Sequence, residues 1–373
     1  MENLVGDRML ASHYQGKRVL VTGHTGFKGS WLCEWLLLLG AEVHGYALPA
    51  PTQPALFDQL ELAGRMRHQI GDIRDAGALR RIIEEIRPDY IFHLAAQPLV
   101  RLSYEKPIET YEVNVMGTAN LLDALRTADW PCAVVLVTSD KCYENREWIY
   151  GYRESDSLGG HDPYSSSKAM AELVTSAYRS SFFRDHPVKI ASARAGNVIG
   201  GGDWAADRIV PDCIRALQQK QAIPVRNKRA TRPWQHVLEP LSGYLWLAAQ
   251  IGAMSASNSN LCSAFNFGPG HEANRTVAEL VEQILQHWPG RWEDKSDPKA
   301  VHEAQFLQLS SDKANALLHW SPVWTFSSAV EQTTLWYGKV SDGSIPAAQM
   351  TVGQIQSYSA AAASAVIPWA ASR

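Results

Sequence analysis

The chain lacks several things, and each absence narrows what it can be. It has only five cysteines, at positions 33, 132, 142, 213 and 262, an odd count with no C-x-x-C pair. That excludes a disulfide-stapled secreted scaffold and a cysteine-built zinc cluster, and it predicts reduced thiols, a cytoplasmic setting and no bound metal. No apolar run reaches the roughly 18 residues a membrane-spanning helix requires, so no membrane partner is expected. The first 16 residues lack the long apolar core of a secretory signal. Charge of one sign is also missing. With 35 Lys and Arg against 38 Asp and Glu the net charge is -3, and no basic field advertises nucleic acid. No internal repeat is visible.

What remains is an ordinary globular composition, 46% hydrophobic and 20% charged, over 373 residues. This length suits one large or two intimately joined domains. Short β-rich runs at 18–22, 41–46, 66–70, 90–94, 133–137 and 188–193 alternate with helical periodicity. Such alternation predicts an α/β fold, a doubly wound parallel sheet of Rossmann type. The run 35–39 is assigned to an amphipathic helix that stops at Gly40. From Gly196 the pattern changes to glycine loops and short elements, read as a smaller C-terminal lobe. The expected division is 1–196 for the sheet domain, with a return around 233–270, and 197–232 plus 271–340 for the lobe. Residues 341–373 are Ser- and Ala-rich, a weak helix at 351–363 or a loose tail.

The first strand empties into Gly23-His24-Thr25-Gly26-Phe27-Lys28-Gly29, followed by a helix. Glycines between a strand and a helix allow a tight turn and let backbone N–H groups approach a pyrophosphate; a purely structural turn has the same spelling. A dinucleotide site usually carries an acid at the end of the second strand, for the ribose. Here Gly45-Tyr46-Ala47-Leu48-Pro49 supplies neither an acid nor an arginine, so NAD and NADP are not separated. Lys28 or His24 could contact phosphate or ribose instead. Asp72 and Ile73 are placed to meet an adenine, although a turn aspartate reads equally well. Ala95 and Ala96, after the fourth strand, would let a ribose or nicotinamide lie close, with Gln97 beside them. A helix is expected over 109–128, with Asn114 bonding backbone and holding the sheet ends.

The fifth strand runs into Thr138-Ser139-Asp140-Lys141-Cys142-Tyr143. In open parallel sheets the ligand crevice lies outside the strands' carboxyl ends, where a hydroxyl, an acid and an amine in a row are unusual; a solvated loop is the alternative. The loop 144–161 reads as polar and mobile. Asp162-Pro163 then caps a helix that begins Tyr164-Ser165-Ser166-Ser167-Lys168. Residues i and i+4 share a helix face, so the Lys168 ammonium could lower the Tyr164 phenol and make it a base near neutral pH. A surface tyrosine beside a surface lysine would have the same spacing. Arg226, Lys228, Arg229 and Arg232 form a local cationic patch, suited to phosphate or simply solvated.

Together the pieces resemble the extended short-chain dehydrogenase/reductase family over residues 17–337. GHTGFKGSW is similar to its cofactor loop, Tyr164-x-x-x-Lys168 to its catalytic pair, and HLAAQ, VNVMGT and GNVIGGGDW to further landmarks. TSDKCY stands where its nucleotide-sugar 4,6-dehydratases carry Thr-Asp-Glu. The resemblance implies NAD as cofactor and a nucleotide sugar, CDP-glucose, as substrate, although no residue pattern reads cytosine over uracil or thymine. It implies that Tyr164 accepts the O4 proton, Lys168 supports it and bonds the ribose, and Ser139 holds O4. It further gives Asp140 the departing C6 hydroxyl and Lys141 the C5 proton. A dry pocket with Asp140 and Lys141 both neutral would satisfy both roles; Lys141 merely holding Asp140 is the other reading. Gly23, His24, Gly26, Phe27, Lys28, Asp72, Ile73, Ala95 and Ala96 then fall to the cofactor, Gln97, Asn197, Arg208 and Arg232 to the substrate. A homodimer or a dimer of dimers is implied. The alternatives are a UDP-N-acetylglucosamine 4,6-dehydratase, a 4-epimerase, or a non-catalytic NAD sensor.

Overall fold

A computed structural model describes residues 8–254, 260–296 and 306–371; residues 1–7 of the leader and the last two of the tail lie outside it. Seven strands form one parallel sheet: β1 Arg18–Thr22, β2 Glu42–Ala47, β3 Arg67–Ile70, β4 Tyr90–His93, β5 Cys132–Val137, β6 Val188–Ala195 and β7 Ala264–Phe267. Their order across the sheet is β7-β6-β5-β4-β1-β2-β3. The chain reverses direction at β1, between β2 and β4, and there the carboxyl ends part into a crevice. Register fixes those ends side by side: Thr22 pairs with both Tyr46 and His93, and Val137 with Ala193. The inner strands β1, β4 and β5 are buried along nearly their whole length, as near-continuous runs of Val, Leu, Ile and Phe require when helices cover both faces.

The helix Phe27–Leu38 is not amphipathic. Every residue from Gly29 to Leu36 is buried, Glu34 included. The sequence shows why only in its last thirty residues. The tail forms a helix, Ala347–Ser364, and a short turn, Pro368–Ala370, that lie over the side of Phe27–Leu38 facing away from the sheet. Trp35 meets Tyr358 and Trp369 edge-on, each at 5.9 Å between ring centroids. Arg65 closes on Glu34 with two hydrogen bonds of 2.6 and 2.7 Å, pairing the one charge in the helix interior. The tail is therefore core material: Tyr358 donates to Glu239, in the helix Leu238–Gly252, which itself runs under the sheet.

The helix expected over 109–128 is present, running continuously through Pro107–Tyr111, a π-turn over Glu112–Met116 and Gly117–Leu125. One further expectation is corrected. The loop 144–161 is packed rather than loose: Tyr143 bridges to Leu158, Tyr152 to Leu309, and Tyr152 stacks between Tyr143 and Trp148 at 5.0 and 5.3 Å. None of the five cysteines is disulfide-bonded. Among the described residues no helix is long and apolar enough to cross a membrane.

Candidate active site

The crevice begins at the glycine loop. Gly23 adopts φ +76° and lies so close to the next crossing that a Cβ would sit 2.6 Å from the Ala95 nitrogen. Only glycine tolerates both conditions. The helix Phe27–Leu38 starts at Gly26 with no side chain capping its first N–H groups, which leaves them aimed into the crevice. An uncapped helix start behind a loop whose glycines at 23 and 29 leave no room for a Cβ fits a pyrophosphate, and by that test the residues present fit a dinucleotide.

The end of β2 explains the missing acid. His24 fills that space: its ring packs against Gly45, where a Cβ would lie 2.5 Å from the imidazole, and meets Phe57 and His68 edge-on. Burial, then the neighbouring His68, lower its pKa to about 4, so it is neutral, and neither ring nitrogen has a partner. Asp72 is held by Arg74 through the backbone N–H and the guanidinium, which keeps it below the ordinary carboxylate range. Ile73 is a core residue packed on Gly117. Gln97 turns inward. Its amide donates to the Leu99 carbonyl and the Thr110 hydroxyl and accepts from the Leu99 N–H, so three of its four hydrogen-bonding positions shape its own surroundings and one acceptor position is left. The π-turn carries Asn114 to where it bonds both backbone groups of Gln97 and the Ser167 hydroxyl, tying the end of β4 to the Tyr164 helix.

Beyond β5, Ser139 Oγ donates to Asp140 Oδ1 at 2.9 Å and accepts from the Lys141 N–H at 3.2 Å. Asp140 is 2% exposed, and its other oxygen has no partner. That oxygen points at Gly196, where a Cβ would approach to 2.9 Å. Burial raises the Asp140 pKa, against the pull of Lys141, Ser139 and Arg232. The helix Pro163–Phe182 brings Tyr164 and Lys168 to the same spot. It starts where predicted: Asp162 caps the Ser165 N–H and Pro163 takes the first position. Both side chains are buried, and the Lys168 nitrogen lies 6.0 Å from the Tyr164 ring centroid.

The electrostatics differ from the sequence expectation in two respects. Burial pushes Tyr164 up to about 12; a hydrogen bond from Ser139 opposes this and the Asp140 charge adds to it. Burial likewise pulls Lys168 down to about 8, with Glu172 resisting. In this structure the dry environment thus outweighs the effect of lysine on tyrosine. Lys141 is half-buried rather than enclosed. The lysine driven toward neutrality is Lys28, lowered to about 7 by burial, then by Arg208 and Lys168, with Asp140 opposing. Its Nζ reaches the Tyr244 hydroxyl at 3.5 Å. Lys28 therefore faces Lys168 and Asp140, a placement the glycine motif does not reveal.

Sequence reasoning missed two more residues. Glu172 stands four residues past Lys168, repeating the i+4 step, and accepts from Thr138, Ser192 (2.8 Å) and Arg194 (2.9 Å). Tyr244, buried on a distant helix, has no local signature. Arg208 is held by Asp203 at 2.8 Å, and Arg232 is buried close enough to lower Asp140. Asn197 opens the following short strand, its carbonyl accepting from Gln235. In the cationic patch Arg226 pairs with Asp207 and Asp212, and Lys228 with Asp294.

Residues 20–333 match the family model described as GDP-mannose 4,6 dehydratase. The chain belongs to this family. A CDP-glucose 4,6-dehydratase of Salmonella typhimurium is 51% identical over 333 residues, 87% of this chain and 91% of that protein. Among solved structures, the dTDP-glucose 4,6-dehydratase DesIV of Streptomyces venezuelae, with NAD bound, superposes with a TM-score of 0.74 at 26% identity, covering 86% of this chain and 97% of that one. The epimerase Mth375 of Methanothermobacter thermautotrophicus shares the fold at a TM-score of 0.75 and 24% identity, over 92% and 98% of the two chains.

Proposed function

We propose that this protein is a CDP-glucose 4,6-dehydratase, a hydro-lyase that converts CDP-glucose to CDP-4-keto-6-deoxyglucose and water. The observation that carries the reading is Asp140, a buried carboxyl with a raised pKa and one bare oxygen, beside the buried Tyr164. A 4-epimerase removes and returns a hydride at one carbon and has no use for such an acid. A dehydratase needs one to protonate the departing C6 hydroxyl. The cytidine base is carried from the Salmonella relative.

NAD, when bound, supplies the reversible two-electron acceptor for C4. The chain's own residues handle the protons. Tyr164 Oη takes the O4 proton, while Lys168 holds positive charge beneath the ring and orients the cofactor ribose. Ser139 Oγ fixes O4 and then the ketone oxygen. The ketone acidifies C5–H, and Lys141 removes that proton. Asp140 protonates the C6 oxygen, and water leaves.

Asn197, Arg208 and Arg232 are assigned to the substrate's pyrophosphate and base, and the elements of 197–232 and 271–340 to the lobe that covers it. Ile108, Met116, Met170 and Leu173 are exposed apolar residues on neighbouring helices beside the site, which supports a homodimer through that face. The test is direct: the holoenzyme is incubated separately with CDP-, UDP- and dTDP-glucose, and the product is read by mass and by the alkali-dependent absorbance of a 4-keto sugar. Product from CDP-glucose is expected; product from UDP- or dTDP-glucose alone would overturn the nucleotide assignment, and a C4 epimer the dehydration.

A further inference from the structure

A second cavity lies apart from the crevice. Its volume is about 680 Å³, within the range of small-molecule sites. Its walls are the helix Pro163–Phe182, the edge strand β7, the segment 153–158 and the start of the helix Asp312–Leu318. None of the residues given to the cofactor or to the nucleotide sugar lines it. The helix that carries Tyr164 and Lys168 continues through Glu172 and Ser176 to Arg179, and these last three face the second cavity.

Two arginines in its wall have donors that nothing accepts. Arg194 is 3% exposed. Its Nη1 donates to the Tyr143 hydroxyl and the Glu154 carbonyl and its Nη2 to Glu172, while Nε is buried without a partner. Arg179 is half-buried. Its Nη1 is enclosed without a partner, and among the described residues no carboxylate lies within ion-pairing distance of it. Burial holds the Arg179 pKa below the ordinary arginine value, and the Arg194 charge adds to this against the pull of Glu172. An enclosed guanidinium N–H without an acceptor costs free energy that a bound oxyanion would recover. A third cation, Lys313, spends two of its three donors on Ser263 Oγ and the Ala264 carbonyl, both at 2.8 Å.

The acids of the wall do not meet this need. Glu172 accepts from Thr138, Ser192 and Arg194, Glu154 from the Asn266 N–H, and Asp156 from the Arg153 N–H. Asp312, the fourth acid, is exposed. With four cations and four acids the wall does not match a purely anionic ligand. It matches a molecule with one anionic end and a body of hydroxyls, which can donate to carboxylates and exchange hydrogen bonds with Ser155, Ser176 and Ser310. No aromatic side chain lines the cavity, so it offers a nucleobase no stacking surface.

We infer that this cavity binds a phosphate monoester of a sugar or a similar polyol. The phosphate takes the free donors of Arg179 and Arg194, whose planar forks suit its oxygens. The hydroxyl-bearing body lies against the serines and acids. The site is independent of the dehydratase reading and of the crevice in which that chemistry is placed.

The test titrates glucose 6-phosphate calorimetrically into the full chain, without added nucleotide and at fixed ionic strength. One saturable site per subunit is expected. Arg179→Met should weaken binding about 10–100-fold, the loss of a charge-assisted hydrogen bond. Arg179→Lys, which keeps the charge without the fork, should fall between. Because Arg179 has no ion-pair partner to lose, neither variant should melt below the parent. Arg232→Met alters the crevice and should bind like the parent. No saturable binding by the parent overturns the site. So does a loss in Arg232→Met but not in Arg179→Met, which would put the phosphate in the crevice. Glucose should not bind measurably, and inorganic phosphate should bind more weakly than the ester; inorganic phosphate binding as tightly would overturn the polyol. A dimer that dissociates in Arg179→Met, with neither probe bound by the parent, would give the free donors to a partner subunit instead. Turnover of CDP-glucose plays no part in the measurement, so failure of the dehydratase reading leaves its result intact.

Discussion

Replacing Lys168 with methionine should stabilise the protein while abolishing its activity. Lys168 is 6% exposed, and burial lowers its pKa from 10.5 to about 8. A lysine whose folded pKa is depressed binds its proton less readily in the native state than in the unfolded one. Below about pH 8 both states are protonated, and the native state bears the whole cost of the buried charge. That cost is roughly two and a half pKa units at 1.36 kcal/mol each, about 3 kcal/mol. Between about 8 and 10.5 the unfolded chain binds more protons, so stability rises with pH and the penalty fades. Methionine has similar length and no charge, so Lys168→Met removes the penalty with little change of packing. Glu172, left beside it, keeps the hydrogen bonds of Thr138, Ser192 and Arg194. Urea unfolding of the nucleotide-free protein at pH 7 should give a variant about 2–3 kcal/mol more stable than the parent. At pH 10 the difference should have fallen to roughly a quarter of that, below about 1 kcal/mol. A variant less stable at pH 7, or a difference that ignores pH, would show that Lys168 is compensated by its neighbours and that desolvation does not set its acidity.

Four other changes test separate parts of the structure. Tyr164→Phe should cut turnover by about 10²–10⁴ with an unchanged far-UV spectrum, the loss expected of a general base. Gly196→Ala places a methyl 2.9 Å from Asp140 Oδ2 and should depress kcat more than KM, measured on CDP-glucose, because it crowds the oxygen assigned to the leaving group. Glu172→Gln leaves the buried Arg194 charge without its partner and should cost about 3–5 kcal/mol in urea unfolding, most of which a Glu172→Gln/Arg194→Met pair should recover. Truncation after Ile345 uncovers Trp35 and the outer side of Phe27–Leu38; the melting temperature should fall, and 1-anilinonaphthalene-8-sulfonate fluorescence should report the exposed apolar face.

Much of this molecule is legible in its sequence because the signals are local. Alternating strand and helix patterns give the sheet, glycines give the turn after β1, and Asp162-Pro163 marks the start of the Tyr164 helix within a residue. What stayed hidden depends on partners distant in the chain. The apolar residues of 31–39 look like one face of a surface helix, and the tail helix beginning more than three hundred residues later helps to bury the segment from Gly29 to Leu36 on every side. Gln97 looks like a ligand group, but three of the four hydrogen-bonding positions of its amide are taken by Leu99 and Thr110. The π-turn at Glu112–Met116 has no compositional mark, yet it decides how the two halves of the site meet. One residue is added to a helical turn, Asn114 turns inward, and a single amide then holds the end of β4 against Ser167, which in turn donates to the Tyr164 carbonyl. The wider turn is a rare departure from the α-helix, and such bulges recur at functional sites. Here the return is positional. Ser139 rides on β5 and Tyr164 on a helix, so their spacing is only as firm as the links between those elements. Asn114 and Glu172 are those links, bonding the Tyr164 helix to β4 through Gln97 and to β5 and β6 through Thr138 and Ser192. A proton-transfer site tolerates little slack in oxygen–oxygen distance, and side chains buried away from the substrate are what remove it.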